Sequence, residues 1–225
     1  MALSTSRKRD KGSLIGKIGN IEVAYFKFSD IDQLVALEKS KWLQSQAATK
    51  DELYDRVNLL SDYSAGAFSE DGHLLASMFC RPTTFKTIVE AKTHRECAYG
   101  PLPLFENSVS YGGNDCLFGV SLTSKDAQGA AALFRTLLPA LAHRGYHSLY
   151  GGSTLPGLLP WLKENSRKTV IDYVYSKTIQ GLPLDRQLRY YYLNGFTTIL
   201  SVKSHYFPHS QSLDYGAVVF KPLTK

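Results

Sequence analysis

The stretch from Leu117 to Glu164, LFGVSLTSKDAQGAAALFRTLLPALAHRGYHSLYGGSTLPGLLPWLKE, orders a strand, a polar loop, a long helix, a second strand and a short helix. Leu117 to Leu122 is β-rich, and Asp126 or Ser124 can N-cap the long helix. Ala130, Leu133, Leu137 and Leu141 then recur at three- and four-residue spacing, the stripe of one helix face. His143 and Arg144 lie in the last turn, where the helix dipole favours cations, and Gly145 supplies a left-handed stop. The next strand, around Ser148 to Gly151, runs through Ser153, Thr154, Leu155 and Pro156 into a helix ending near Glu164. A strand-helix-strand unit of this kind restricts the chain to the α/β class.

The flanking sequence fits around that unit. Ile15 to Phe28 alternates and is rich in Ile, Val, Tyr and Phe, which predicts a first strand. Ser29 with Asp32 resembles a capping box for a helix running to about Leu43, with Leu34, Leu37 and Lys41 on one face. Thr49 with Glu52 repeats the signature ahead of a second helix carrying Leu53, Val57 and Leu60. Asp71-Gly72 joins two β-rich arms as a tight hairpin. From Arg81 to Asp115 the periodicity is lost among Pro82, Pro101, Pro103 and Gly112-Gly113, which leaves an irregular excursion with room for one short helix or strand. Val170 to Val174 reads as a strand and Leu184 to Leu193 as a helix stopped by Asn194-Gly195. Thr197 to Val202 and Gly216 to Phe220 read as closing strands. The expected organisation is a basic linker over residues 1–14 and one α/β domain over residues 15–225.

Charge and cysteine usage exclude several classes. Of the net charge of +6, Arg7, Lys8, Arg9 and Lys11 against Asp10 supply +3. No aromatic residues interleave with that run, so a nucleic-acid partner is not expected. Cys80, Cys97 and Cys116 are odd in number and lack CxxC spacing, which indicates neither a disulfide framework nor a thiolate zinc site and fits a reducing cytoplasm. No apolar run has membrane-spanning length, so no membrane association is expected. Without HExxH, a carboxylate-histidine cluster or a GxSxG elbow, neither a metal nor a serine-hydrolase triad is predicted.

A strand that ends in a loop of exposed amides and opens a helix can hold a pyrophosphate, since unpaired N–H groups and the helix dipole both favour anions. Val120, Leu122, Lys125, Gln128, Gly129 and Ala130 are the candidate cofactor-binding residues on that ground. Here the chain resembles the GNAT acyltransferase superfamily, whose signature is Arg/Gln-x-x-Gly-x-Gly/Ala. Aligned on KDAQGA, Lys125 takes the first position, Gln128 stands at the first glycine and Ala130 at the last small residue. Glycine lets backbone approach phosphate closely, so Gln128 predicts weak CoA binding. Simple capping of a core helix is the alternative reading of this loop.

Downstream, GGSTLPGLLPWL and DYVYSKTIQGLPLDRQLRYYYLNGF resemble malonyl-CoA decarboxylase and the GNAT-like loading domains of polyketide synthases. The resemblance implies the GNAT fold, a mixed central sheet flanked by helices. It also implies a thioester substrate on coenzyme A or on the phosphopantetheine of an acyl carrier protein, with neighbouring synthase domains as further partners. In that family a Ser or Thr at the Ser-x-x-Pro-Gly turn and a His shortly before Asn-Gly act on a malonyl thioester. Loss of CO2 leaves an enolate whose oxygen needs a donor and whose carbon needs a proton.

Ser153 and Thr154 keep the hydroxyl position, with Thr154 favoured by the family pattern, and either can also N-cap the following helix. Tyr191 stands where the family has histidine. A phenol with an unperturbed pKa of about 10 is a poor proton shuttle at neutral pH, which predicts impaired decarboxylation. Tyr191 is equally readable as a packed core tyrosine. His205 and His209 are the nearby imidazoles in the sequence. Trp42 falls where loading domains place a substrate-positioning tryptophan, and serves equally well as a core residue. Three readings stay open: a loading-module acyl or malonyl thioester enzyme, a catalytically inactive pseudo-GNAT kept for structure or carrier docking, and a freestanding amine acetyltransferase.

Overall fold

The computed structural model describes residues 13–42, 47–100 and 116–224. Residues 1–12 of the expected linker, Leu43, Pro101, Pro103 and Gly112-Gly113 lie outside them. The described chain forms a mixed sheet of eight strands flanked by helices, and none of those helices is long and apolar enough to cross a membrane. The described residues divide into two compact units, one from those up to residue 81 with 119–145 and 224, the other from those between 82 and 118 with 146–223.

In the first unit, the expected single strand is a hairpin of β1 (Leu14–Ile18) and β2 (Ile21–Tyr25), because Gly19, at φ 58°, turns the chain back. The helix α1 (Ile31–Lys41) follows a short 3-10 turn, and its entry is held by Asp30, whose carboxylate accepts the Lys27 N–H at 2.9 Å, and not by Ser29. The helix α2 (Lys50–Leu59) has the expected reciprocal box: Glu52 N–H donates to Thr49 Oγ1 at 3.2 Å, and Thr49 N–H to Glu52 Oε2 at 2.9 Å. β3 (Ser64–Phe68) and β4 (Leu74–Thr83) form the expected hairpin at Gly72, φ 78°. β5 (Cys116–Ser124) begins in the second unit and leads in the first to α5 (Ala127–His143), whose Leu133, Leu137 and Leu141 are fully buried. α5 packs on β1, β2 and β3. Each of these leucines contributes about 1.5–3 kcal/mol of apolar burial.

In the second unit the excursion supplies two short helices where the sequence suggests one element, α3 (Phe85–Glu90) and α4 (His94–Tyr99), capped by Thr84 and Thr93. Lys203 donates to the carbonyls of Ile88 and Val89 at 3.0 Å and also to that of Ala91, so one ammonium satisfies the open end of α3. β6 (Ser148–Thr154) pairs antiparallel with β8 (Gly216–Pro222), and β8 with β7 (Thr198–Lys203). The strand order of the sheet is β1-β2-β3-β4-β5-β6-β8-β7. The short helix α6 (Leu158–Glu164) follows β6.

Val170 to Val174, expected as a strand, is the helix α7 (Val170–Tyr175). Thr169 and Asp172 form a capping box, with Thr169 N–H donating to Asp172 Oδ2 at 2.7 Å and Asp172 N–H to Thr169 Oγ1 at 3.2 Å. The adjacent pair Tyr173 and Val174 is buried while Ile171 and Tyr175 are exposed, a pattern of helical and not alternating period. The helix α8 (Arg186–Leu193) is capped by Asp185 and closes at Gly195, φ 88°.

Candidate functional site

The candidate residues fall in both units. At the mouth of α5, in the first, the loop amides expected to receive a pyrophosphate have intramolecular partners. Lys125 N–H donates to Leu75 O at 3.0 Å, and Asp126 N–H to Ser124 Oγ at 3.1 Å. Gly129 N–H donates to Asp126 Oδ1 at 2.6 Å, and Ala130 N–H to Asp126 O at 3.1 Å. A carboxylate thus sits where the helix end would attract an anionic ligand. Gly129 answers a packing demand: a Cβ there would lie 2.9 Å from Leu75 Cβ. Val120 and Ala130 are buried, Leu122 is half-buried, and Lys125 and Gln128 are exposed.

Asp126 should oppose CoA more than Gln128 does, because like charge acts at longer range than side-chain bulk. Asparagine caps helices about as well as aspartate but carries no charge. Asp126→Asn is expected to tighten acetyl-CoA binding about tenfold, as removal of a like charge near a pyrophosphate is worth ~1–2 kcal/mol. Calorimetry at low salt checks this. Unchanged affinity in a folded variant would place the obstacle elsewhere in the loop.

Trp42 follows α1 in the same unit, and its indole Nε1–H donates to Thr123 Oγ1 on β5 at 2.9 Å. Thr123 in turn donates to Glu38. Neither Thr123 nor Glu38 is a candidate at the level of sequence. Nothing in the chain marks two residues 85 positions apart as partners.

In the second unit, Ser153 and Thr154 end β6 on opposite faces, as the alternation of a strand requires. A Cβ on Gly151, which shares Ser153's face, would lie 3.7 Å from the Tyr191 ring; one on Gly152, which shares Thr154's face, would lie 2.7 Å from His94 Cδ2 and 2.8 Å from Phe207. Ser153 is buried and donates to Thr154 O at 2.9 Å. Thr154 is half-buried, and among the described residues no hydrogen bond engages its hydroxyl. Of the two, Thr154 has the donor to offer.

Tyr191 reaches β6 from α8, and its hydroxyl donates to Gly152 O at 3.2 Å. Its proton therefore goes to a strand carbonyl, and its ring lies on the opposite face from the Thr154 side chain. Burial, and secondarily the neighbouring Tyr190, pushes the phenol above its usual range. A group so placed holds its proton more firmly than a free tyrosine. His94, at the start of α4, stacks on Phe207 at 4.7 Å and lies on Thr154's side of the strand. Its place in the irregular excursion gave no sign of this in the sequence. His209 Nδ1 lies 2.6 Å from Ser212 Oγ, which accepts the Leu155 N–H at 2.7 Å, whereas His205 is exposed on a turn.

One carboxylate ties the motif pieces together. Asp185, 1% exposed, accepts Gln187 N–H at 2.8 Å and Leu188 N–H at 3.0 Å on Oδ1. On Oδ2 it accepts the Tyr173 hydroxyl at 2.7 Å and Gly157 N–H at 3.2 Å. The glycine of the Ser-x-x-Pro-Gly turn is required by this node, since a Cβ at Gly157 would lie 2.2 Å from Tyr173 Oη. Burial, followed by donation to Asp185, raises the Tyr173 pKa and keeps that phenol protonated. The three cysteines are buried and none is in a disulfide, and burial pushes the Cys80 thiol up to about 12.

No protein-family model and no curated protein sequence matches the chain. Among solved structures, the loading GNATL domain of CurA from Lyngbya majuscula superposes with a TM-score of 0.74 at 16% identity, covering 91% of this chain and 98% of that one. The GphF GNAT-like decarboxylase in complex with isobutyryl-CoA gives 0.71 at 22%, covering 90% and 99%. Arabidopsis thaliana Naa50 in complex with the bisubstrate analogue CoA-Ac-MVNAL gives 0.52 at 12%, covering 90% and 99%. The fold is thus that of the GNAT acyltransferases.

Proposed function

We propose that this chain is a GNAT-like domain of a polyketide synthase loading module that holds an acyl or malonyl thioester, with decarboxylation impaired. The fold similarity to a loading GNATL domain and to a GNAT-like decarboxylase, well above that to Naa50, supports the class over an amine acetyltransferase. The observation that carries the impairment is the Tyr191 hydroxyl, committed to Gly152 O with its ring across the strand from Thr154. In decarboxylation the C–C bonding pair stays behind as an enolate when CO2 leaves. Thr154 can donate to the enolate oxygen, but the carbon still needs an acid. Asp126 disfavours the CoA pyrophosphate, which favours delivery on the phosphopantetheine arm of an acyl carrier protein.

The second reading, a pseudo-GNAT retained for structure or carrier docking, draws on the same two residues, Tyr191 and Asp126. Intact-protein mass spectrometry of a malonyl carrier protein incubated with the domain tests both. The malonyl thioester is expected to persist over an hour, with the carrier nevertheless binding in a pull-down that requires the acylated arm. Rapid loss of CO2 would overturn the impairment. Equal binding of carriers with and without the acyl group would select the docking role.

A further inference from the structure

In the second unit, the outer face of α7 and the hairpin after it expose apolar side chains that the fold itself does not use. Ile171 and Tyr175, four residues apart on α7 and therefore on one face, are 53% and 58% exposed, and Ile179 is fully exposed. Ile179 stands at the corner of a tight turn, in which Gly181, at φ 75°, donates its N–H to Thr178 O at 2.9 Å. Two further bonds close the hairpin beneath it, Thr178 N–H to Leu182 O and Leu184 N–H to Ser176 O, both at 2.8 Å. Turn corners are ordinarily Asn, Asp, Gly or Pro, so neither local geometry nor burial calls for isoleucine here.

The charge around this face is one-sided. Residues 163–189 hold six Lys and Arg against three Asp and Glu, a net +3, and residues 1–12 supply the other +3 of the chain. Lys163, Arg167, Lys168, Lys177 and Arg186 are exposed, whereas Asp185 is buried and the Asp172 carboxylate accepts the Thr169 N–H and hydroxyl. An apolar centre with a cationic rim is complementary to a protein surface that sets carboxylates around an apolar groove. The buried side of α7 indicates which partner brings that surface. Tyr173 donates to Asp185, and the same carboxylate accepts the amide of Gly157, three residues beyond Thr154. A partner seated on α7 therefore stands beside the turn that follows Thr154. We propose that the α7 face and the Ile179 turn are the docking surface for the carrier protein that delivers the thioester, which is held through carboxylates on its facing helix with Ile179 as the apolar anchor. This deepens the proposed function and rests on it for the identity of the partner. The hairpin is already fixed by its hydrogen bonds, so little ordering is left to binding.

The test is calorimetric titration of the full chain with a malonyl carrier protein. Ile179→Asp is expected to weaken binding about tenfold or more, as loss of a central interface anchor does. Arg167→Glu with Lys168→Glu is expected to weaken it about tenfold at low salt, with the difference fading as salt is raised. All three side chains are exposed, so these variants keep the fold. Leu59→Asp, at a comparably exposed apolar position of the other unit, leaves the affinity unchanged. Carrier binding indifferent to both sets of substitutions overturns the docking surface and leaves the proposed function standing. Binding of phosphatidylserine vesicles, or self-association, that depends on Ile179 while carrier binding does not gives the face to a lipid surface or a second copy and likewise overturns the carrier assignment. Failure of the unaltered chain to bind either the carrier or malonyl-pantetheine overturns both.

Discussion

Tyr191→His alone is expected to leave CO2 loss from a malonyl carrier protein within about threefold of the unaltered chain's, since a general acid contributes its ~10²–10⁴ only where it reaches the reacting carbon and the side chain at 191 lies across β6 from Thr154. The unaltered phenol fails on two counts, as its proton is given to Gly152 O and burial raises its pKa. An imidazole with an unperturbed pKa of about 6.5 exchanges protons at neutral pH, but at 191 it stays on the Ser153 face of the strand. A rise above about tenfold that is lost again on Thr154→Val would show that the two side chains converge on one thioester and would overturn the opposite-face placement. Tyr191→Phe alone should leave the slow rate where it is and cost about 1 kcal/mol of stability for the lost hydrogen bond. Fast decarboxylation by the unaltered chain that is abolished in Tyr191→Phe would make the phenol a working acid. Fast turnover that survives Tyr191→Phe and disappears in His94→Gln would assign the proton to the imidazole lying over Gly152.

Asp185→Ala is expected to destabilise the protein by about 3–5 kcal/mol, the cost of breaking a buried charged hydrogen-bond node. Four donors lose their acceptor at once: two amides opening α8, the amide of the Pro-Gly turn and the Tyr173 hydroxyl. Denaturant unfolding should show a lower midpoint with an unchanged slope. The variant also frees the start of α8, so Tyr191 should lose its seat on β6. Asp185→Asn should recover part of the loss, because one amide oxygen still accepts while the other side of the group presents donors to donors. A cost under about 1 kcal/mol for the alanine variant would mean that water replaces the carboxylate and that the node does not organise the turn.

The local grammar of this chain is legible wherever a few neighbouring residues settle the geometry. Thr49 with Glu52, Asp71-Gly72, Asp126 and Gly145 each act within one turn of backbone, and each does in the fold what its chemistry implies. The Leu133, Leu137 and Leu141 stripe is buried for the same reason, since helical period alone puts those residues on one face. Local signals that compete are decided otherwise. The β-branched run at Val170 loses to the Thr169 and Asp172 capping box, and the first strand is cut in two by the left-handed Gly19.

The site depends on groups that meet only in the folded chain. Ser153 and Thr154 are neighbours in sequence, yet strand pleating sends them to opposite faces, so which hydroxyl can face Tyr191 is set by the register of β6 with β8. The Trp42, Thr123 and Glu38 run and the Asp185 node join residues from separate elements, and no spacing rule predicts which buried donor will find which acceptor. The fold class and the strand-helix-strand unit from β5 to β6 are therefore fixed by periodicity and capping along the chain. The occupancy of the Tyr191 proton and the hydrogen bond of Trp42 to Thr123 are left to tertiary packing, because each depends on distances between atoms that the chain brings together only on folding.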